Sequence, residues 1–454
     1  MDVKAHEILR RAIPLGLANM SVALMPLIDS VMLGQHDVFS MASGGLAMQI
    51  YLILFMLGEG IVFGFGPIYG RYMDADDRRK MASSKLAVYF LLAAFAIIAF
   101  LILLMGPDIL LSLQQSPRLI DESREYLVLL GLSILPNLLF IHYWEMLAFH
   151  DKGKLVVIGA TIQLVTNIAL NYILIYGKFG APELGLLGAG IGTFIGSLVG
   201  AGVLLLYVHM YTNSPKIHAL SDILSFRTSL MPHINEVLKL GLPIGLSIIS
   251  TVAFLSASVF LMGWYSEEPL AAHIAVLQIN EVIVVFILGF NEYCAIHVSS
   301  NIGTATSRSL RAFLLKVTAT SFGFITLMLV VMYALRFQIY ALFLGPATEI
   351  TQPIYGYMDD FLSFSFPFLL VDAFLLLITG ILRGCEITSW PLILNLIGFW
   401  VFGFFSQMLL ISYYPTAPIV VWIGMQIGFL ATAIGVSAYF IKCSASFSGS
   451  LRSI

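Results

Sequence analysis

The sequence predicts an all-α integral membrane protein. Of its 454 residues, 59% are hydrophobic and 11% are charged, and the mean hydropathy is +0.94. Soluble globular chains carry roughly 25% charged residues, so this composition belongs to the membrane class. The apolar residues also fall into runs of about 20 or more, the length that a helix needs to cross the hydrocarbon core of a bilayer.

Twelve runs are long and apolar enough to be predicted as membrane-spanning helices. Gaps of polar and turn-forming residues separate them, and their edges are defined only to within a few residues. The predicted spans are 11–34, 44–70, 84–106, 124–149, 155–177, 186–211, 235–264, 271–299, 312–336, 356–382, 388–413 and 417–441.

The distribution of Lys and Arg predicts the orientation of these spans. If successive spans cross the membrane in alternating directions, 19 of the 23 Lys and Arg residues lie in gaps on the side of the N-terminus. The other 4 lie on the opposite side. Because positive charge concentrates in cytoplasmic loops, we expect both termini in the cytoplasm. A miscounted span would scramble this asymmetry, so it also supports the count of twelve.

The long polar gap after span 6 divides the chain into an N-terminal lobe (1–211), a cytoplasmic linker (212–234) and a C-terminal lobe (235–454). The start of each lobe resembles the other in an ungapped comparison. The identical pairs are Pro14/Pro243, Gly16/Gly245, Leu17/Leu246, Ser21/Ser250 and Gly34/Gly263. Each lobe has six spans and starts on the same face, so we expect a pseudo-two-fold axis along the membrane normal with a cavity between the lobes.

Several other classes of protein are not supported. The net charge of −3 gives no reason to expect nucleic-acid binding. The first residues contain no short apolar core followed by a cleavage site, so we expect a cytoplasmic lead-in to span 1 and not a signal peptide. Three scattered cysteines without metal-ligand spacing argue against a disulfide framework or a zinc site: Cys294, Cys385 and Cys443.

Two carboxylates are each the only charge in a long apolar stretch, Asp29 within 12–34 of span 1 and Asp372 within 361–382 of span 10. A charge at the centre of a bilayer costs at least ~3 kcal/mol, and such residues usually face a cavity or a polar partner. Each is therefore a candidate functional residue, and together they suggest a pathway for ions or solutes.

Span 5 places Gln163, Asn167 and Asn171 four residues apart, on one face of a helix. Asp29, Asn171 and Thr193 of span 6 are all predicted ~8–10 Å inside the outer boundary, counted at ~1.5 Å per residue. We therefore predict an oxygen-rich cation site from Asp29, Asn167, Asn171 and Thr193. Alternatively, the two asparagines form hydrogen bonds to a neighbouring helix and do not bind a cation. Four glycines of span 6 predict close contact with span 5: Gly188, Gly192, Gly196 and Gly200.

A second candidate set concerns the cargo or a second cation. It combines Asp372 with Glu59, Glu292 and Gln278, of which Glu59 and Glu292 occupy similar places in spans 2 and 8 and either line the cavity or serve packing. Glu145 is expected at the cytoplasmic membrane interface. Three single histidines, His142, His273 and His297, are expected to be packing or interfacial residues.

The chain resembles the multidrug and toxic compound extrusion (MATE) transporters, in their NorM-like branch. The resemblance covers nearly the whole chain and rests on PLIDSVMLG in span 1, NYILIYGKFGAPELG from the end of span 5 to the start of span 6, AAHIAVLQ in span 8 and VDAFLLLITGILRG in span 10. It implies an antiporter of a prokaryotic inner membrane that exports bulky, cationic or amphipathic organic compounds in exchange for Na⁺ or H⁺, without a cofactor and as a monomer.

The resemblance also assigns roles to residues. It implies a Na⁺ or H⁺ site at Asp29, Asn167 and Asn171, and a role for Asp372 in binding cation or cargo. One position departs from the family pattern, because NorM-like members often carry Glu where this chain has Thr251. A cation site of the usual composition in the C-terminal lobe is therefore not expected.

Other functions remain open at this stage. A flippase for lipid-linked precursors would share the architecture, but would usually line its cavity with several Arg or Lys. A membrane enzyme would need paired catalytic acids near a Gly-Asp signature or His-Glu-x-x-His, and neither occurs. A receptor would not need a six-plus-six repeat. The residues name neither the coupling ion nor the cargo.

Overall fold

The fold was analysed in a computed structural model, which describes residues 4–74, 78–150, 152–211, 220–300, 306–349, 351–385, 387 and 389–446. All regular secondary structure in these residues is helical. The helices are α1 (Ala5–His36), α2 (Val38–Asp74), α3 (Arg78–Leu104), α4 (Gly106–Ser112), α5 (Pro117–Phe149), α6 (Gly153–Ile175), α7 (Gly185–Tyr211), α8 (Leu220–Met262), α9 (Glu267–Ser300), α10 (Ser307–Ala334), α11 (Arg336–Leu344), α12 (Gln352–Gly384), α13 (Ser389–Leu396), α14 (Phe405–Tyr413) and α15 (Ile419–Ser446).

The helices confirm the predicted class of an all-α membrane protein. Each predicted span coincides with a helix, or with α13, α14 and the segment between them for span 11. Ten helical stretches of the described chain are long and apolar enough to cross a membrane, and α8 adds the shorter apolar stretch Ile249–Met262. The count of twelve spans stays a prediction.

Three features were not predicted. The short helices α4 and α11 follow α3 and α10, at corresponding places in the two halves. Helix α11 is held by Arg336, whose Nε donates to Asp359 Oδ1 at 2.7 Å. Burial and the Asp359 carboxylate raise the pKa of Tyr340 on the same short helix. The third feature is a π-helical segment, Ile397–Phe404, between α13 and α14; such segments lack a simple sequence signature.

By their internal contacts, the residues form two compact units. Unit N comprises Met32–Ser256, and unit C comprises Met1–Val31 together with Ala257–Ile454. Both α1 and α8 therefore contribute to two units. The sequence analysis divided the chain into an N-terminal lobe that ends at residue 211 and a C-terminal lobe that starts at residue 235. That division stays a prediction.

In unit N, α5 packs against α2, α3 and α7, and α6 packs against α7. Helix α2 contacts α8 through glycines: Gly60 lies against Gly245, and Gly64 lies against Gly241. A methyl group built on Gly64 would lie 2.6 Å from Cα of Gly241. Because real side-chain carbons do not approach a backbone so closely, glycine is required for this helix contact.

In unit C, α12 packs against α9 and α15, and the π-helical segment packs against α15. The first part of α1 contacts α9 through Gly16 and Gly289. Gly16 and Gly245 are a matched pair of the sequence repeat, and their partners Gly289 and Gly60 are separated by the same number of residues. The two units thus contain equivalent glycine contacts, which supports the predicted repeat.

Replacing Gly64 by alanine tests this packing. The added methyl group has no room against Gly241, so we expect Gly64→Ala to lower the free energy of unfolding by about 1–3 kcal/mol. Thermal unfolding of the purified protein in detergent measures the effect. Gly323→Ala is the control, because a methyl group at Gly323 meets no atom within 4 Å. Equal stability of the two variants would contradict the packing described.

Candidate cation and cargo sites

The polar face of α6 is buried in unit N. Asn167 and Asn171 are fully buried, and Gln163 is 7% exposed. Uncompensated burial of an amide costs roughly 1–3 kcal/mol, so a stripe of three requires polar partners. The prediction that these residues share one helix face is confirmed.

Helix α7 accommodates this stripe with glycines at the same spacing. Gly192 faces the Asn171 side chain, Gly196 faces Asn167, and Gly200 faces Gln163. A methyl group on Gly196 would lie 3.2 Å from Cβ of Asn167, and one on Gly192 or Gly200 would collide with an amide oxygen. The predicted close contact of spans 5 and 6 is therefore confirmed. The glycines of α7 leave the room that the amide side chains of α6 occupy.

Hydrogen bonds order the C-terminal part of this stripe. Asn171 Nδ2 donates to Asn167 Oδ1 at 3.3 Å, and Asn167 Nδ2 donates to Thr193 Oγ1 at 3.3 Å. The structure thus brings together three of the four residues predicted for the cation site. Amide and hydroxyl oxygens are hard ligands of the kind that hard cations prefer.

The N-terminal part of the stripe continues to residues that the sequence analysis missed. Gln163 Nε2 donates to Asn137 Oδ1 at 3.2 Å, and Asn137 Nδ2 donates to the Tyr51 hydroxyl at 2.9 Å. An asparagine in the middle of the apolar span SILPNLLF was the available signal for Asn137. Tyr51 carried no such signal, because tyrosines are common in membrane helices.

The backbone of the segment between α6 and α7 requires glycine at several positions. Gly177, Gly180 and Gly185 have φ values of +61°, +84° and +52°, which favour glycine. Leu184 N donates to Leu174 O at 2.8 Å and closes the hairpin. This backbone sets the register in which the glycines of α7 meet the amides of α6.

The fourth predicted residue, Asp29, lies in unit C and is 4% exposed. It is buried on α1, as expected for a lone intramembrane carboxylate. Three residues further along the same helix, in unit N, the carbonyl of Met32 accepts a hydrogen bond from the Tyr176 hydroxyl at 2.8 Å. The C-terminal end of α1 is therefore attached to the α6–α7 connection.

The residues of the second candidate set are divided between the units. Asp372, Glu292 and Gln278 lie in unit C, where Asp372 is 8% exposed and the other two are half-buried. Glu59 is half-buried in unit N. Asp372 has an electrostatic interaction with Glu281 of α9, which was not in the predicted set.

Other polar groups in these helices make hydrogen bonds between side chains. The Arg383 guanidinium donates to Asn291 Oδ1 at 2.8 Å, and Asn291 Nδ2 donates to Thr379 Oγ1 at 3.4 Å. Ser258, which aligns with Asp29 in the repeat, lies 3.2 Å from Nε2 of the buried His273. In the described chain, no group of three or more His, Cys, Asp or Glu residues is arranged to hold a metal ion.

These features define a helical membrane transporter with a buried polar stripe. The chain matches the MatE family model over residues 14–173 and 243–409, which together cover more than half of its length. The chain therefore belongs to the MATE family of multidrug efflux transporters, and it is not an enzyme.

Similar proteins span nearly the whole chain. A probable multidrug resistance protein NorM from Rhizobium meliloti is 25% identical over 91% of this chain and 88% of its own length. One from Streptococcus pneumoniae is 28% identical over 89% and 88%. The fold matches an inward-facing multidrug resistance MATE transporter with a TM-score of 0.86 at 18% identity, over 98% of this chain and 99% of the other. A transporter of the MOP superfamily from Pyrococcus furiosus matches with a TM-score of 0.72 at 18% identity, over 97% and 96%.

The fit between the amides and the glycines generates a prediction. In Gly192→Ala the new methyl group collides with the Asn171 side chain, so we expect the amide to shift and transport to fall by about tenfold or more. Ethidium efflux from cells that lack their own efflux pumps provides the measurement. Gly202→Ala, also on α7 but with open space at its Cβ, is the matched control. Normal efflux by Gly192→Ala would show that the amide positions do not matter.

Proposed function

We propose that this transporter is a secondary antiporter, which exports bulky, cationic or amphipathic organic compounds in exchange for Na⁺ or H⁺. The observation that carries the proposal is the buried stripe of α6, whose oxygen atoms are ordered by hydrogen bonds and by the fitted glycines of α7. Membership of the MATE family supports the class of cargo, and the NorM relatives are multidrug resistance proteins by name.

The proposed coupling site comprises Asp29, Asn167, Asn171 and Thr193. All four side chains are at least nine-tenths buried. In unit N the amide and hydroxyl oxygens can supply ligands for a small cation, and in unit C the Asp29 carboxylate supplies a negative charge that a cation can balance. Cation binding at a charged group within the membrane removes a cost of at least ~3 kcal/mol, and this is the energy that can bias one conformation over another.

The residues proposed to contact cargo are Asp372, Glu292 and Gln278 in unit C and, considered by itself, Glu59 in unit N. Cationic cargo requires negative charge, and Asp372 with its neighbour Glu281 provides two carboxylates in unit C. Half-burial of Glu59, Glu292 and Gln278 leaves part of each side chain accessible for contact. We further propose that the chain lies in a cell membrane with both termini in the cytoplasm, as the Lys and Arg asymmetry predicts.

Removing the carboxylate of α1 tests the coupling site. We expect Asp29→Asn to abolish resistance to toxic cations in an efflux-deficient host while expression stays normal, because the amide keeps the shape but cannot balance a bound cation. Asp37→Asn is the matched control: Asp37 lies just beyond α1, where Oδ2 accepts from Ser40 N at 3.1 Å, and asparagine also caps helices well. Full resistance in Asp29→Asn would refute the role of Asp29.

Imposed ion gradients test the antiport mechanism itself. In proteoliposomes containing the purified transporter, we expect ethidium to move against its gradient when either a Na⁺ or a pH gradient is imposed in the exchanging direction, since the bound cation drives the conformational change. The gradient that drives transport identifies the coupling ion. Ethidium movement that ignores both gradients would exclude secondary antiport.

A further inference from the structure

The connection between α6 and α7 has a feature that the proposed coupling site does not explain. We define its tip as Lys178–Gly180, a short helical turn within the string NYILIYGKFGAPELG. The side chain of Phe179 in this tip is 89% exposed, and Lys178 beside it is exposed as well. A large apolar ring therefore lies at the surface and buries little of itself against its own protein.

The backbone at Phe179 is strained. Its φ of +56° and ψ of +27° lie in the left-handed region, which a bulky side chain rarely adopts. Among the residues that the structure describes, the only other non-glycine residue with a positive φ is Gln114. Glycine adopts this region without strain, as Gly180 does next to it. A strained phenylalanine that contacts little of its own protein indicates a contact with something outside the protein.

The surface of α6 indicates what this contact is. Ile158, Val165 and Tyr172 are exposed and follow one another at intervals of seven residues, which is about two helical turns. Because Gly153–Ile175 is long and apolar enough to cross a membrane, this exposed apolar stripe would face acyl chains. Phe179 follows the end of that helix by four residues. It is therefore placed where the acyl chains meet the lipid headgroups.

The residues around the tip are those of a membrane interface. Aromatic rings concentrate at the boundary between acyl chains and headgroups. The rings of Tyr172 and Tyr176, just before the tip, have centroids 5.9 Å apart. Lysine side chains reach from apolar surroundings to the headgroups with their ammonium group, and Lys178 is exposed in the position to do so.

We propose that the tip is a membrane anchor, in which the Phe179 ring inserts between acyl chains at the headgroup boundary and Lys178 pairs with lipid phosphate. Its partner is a phospholipid, and in the predicted orientation this lipid belongs to the non-cytoplasmic leaflet. Side chains held in this way lie ~5–10 Å within the boundary region. Leu184 N donates to Leu174 O at 2.8 Å and joins the ends of α6 and α7. The anchor therefore fixes the depth of both helices in the bilayer.

Tryptophan fluorescence tests the position of the ring. Phe179→Trp is placed in lipid nanodiscs whose acyl chains carry bromine near the headgroup end, and its emission is compared with that of wild type, which has 5 tryptophans. We expect the added emission to be blue-shifted and quenched by about half or more, because the ring lies ~5–10 Å within the boundary. Glu349→Trp is the matched control, because Glu349 is exposed and charged in another connection, and its added emission should stay unquenched.

Two results would overturn the anchor. Blue-shifted but unquenched emission from Phe179→Trp would place the ring against another protein, such as a second copy of the chain. Red-shifted and unquenched emission would place it in water. Neither measurement involves transport, so the anchor and the antiport proposal fail by different results.

Amide hydrogen exchange provides a second test that needs no added tryptophan. Because the protein contacts little of the ring, its removal costs the protein itself almost no contact. In nanodiscs we expect Phe179→Ser to speed exchange in the α6–α7 connection by about threefold or more, since the lipid contact is lost. Phe179→Leu keeps an apolar anchor and should exchange at close to the wild-type rate. Wild-type exchange in Phe179→Ser, or equal acceleration in both variants, would overturn the anchor.

Discussion

The interaction on which the rest of the molecule depends is the contact between the amide face of α6 and the glycine face of α7. Three buried amides in a membrane helix require partners, and no solvent is available in the bilayer to supply them. Glycines at matched spacing on α7 make the space, and Thr193 and Asn137 supply hydrogen bonds. Close packing and the candidate cation site are therefore one structural feature, so a residue that widens this contact also disturbs the ligands.

Close helix contacts through glycines occur in both units. Gly60 against Gly245 in unit N and Gly16 against Gly289 in unit C are equivalent positions of the repeat. In each case the first helix of one half of the sequence contacts the second helix of the other half. Because glycine has no side chain, the two backbones approach closely at each crossing. A larger residue would not fit there. The glycines themselves contribute no polar side chain. These two contacts differ from the contact between α6 and α7, where the glycines face buried amide side chains.

Much of this arrangement was predictable from the sequence, for identifiable reasons. Apolar runs predict spans because a helix must cover a fixed hydrocarbon thickness, and the stripes on α6 and α7 follow from helical periodicity. What escaped prediction has no such rule. The short helices α4 and α11 are too short for a periodic signal, and Tyr51 and Glu281 became relevant only through neighbours on other helices. Helices α1 and α8 are each divided between the two units. This division follows from tertiary contacts, which the sequence alone does not reveal.

The central proposal is that the amides of α6 hold the cation that cargo displaces. It can be measured directly by adding ethidium to the purified transporter in weakly buffered detergent and recording the release of H⁺ and Na⁺. The account predicts release of one cation for each ethidium bound in wild type, and its loss in the double variant Asn167→Ala, Asn171→Ala. Undiminished release from that variant, with ethidium still bound, would contradict the account.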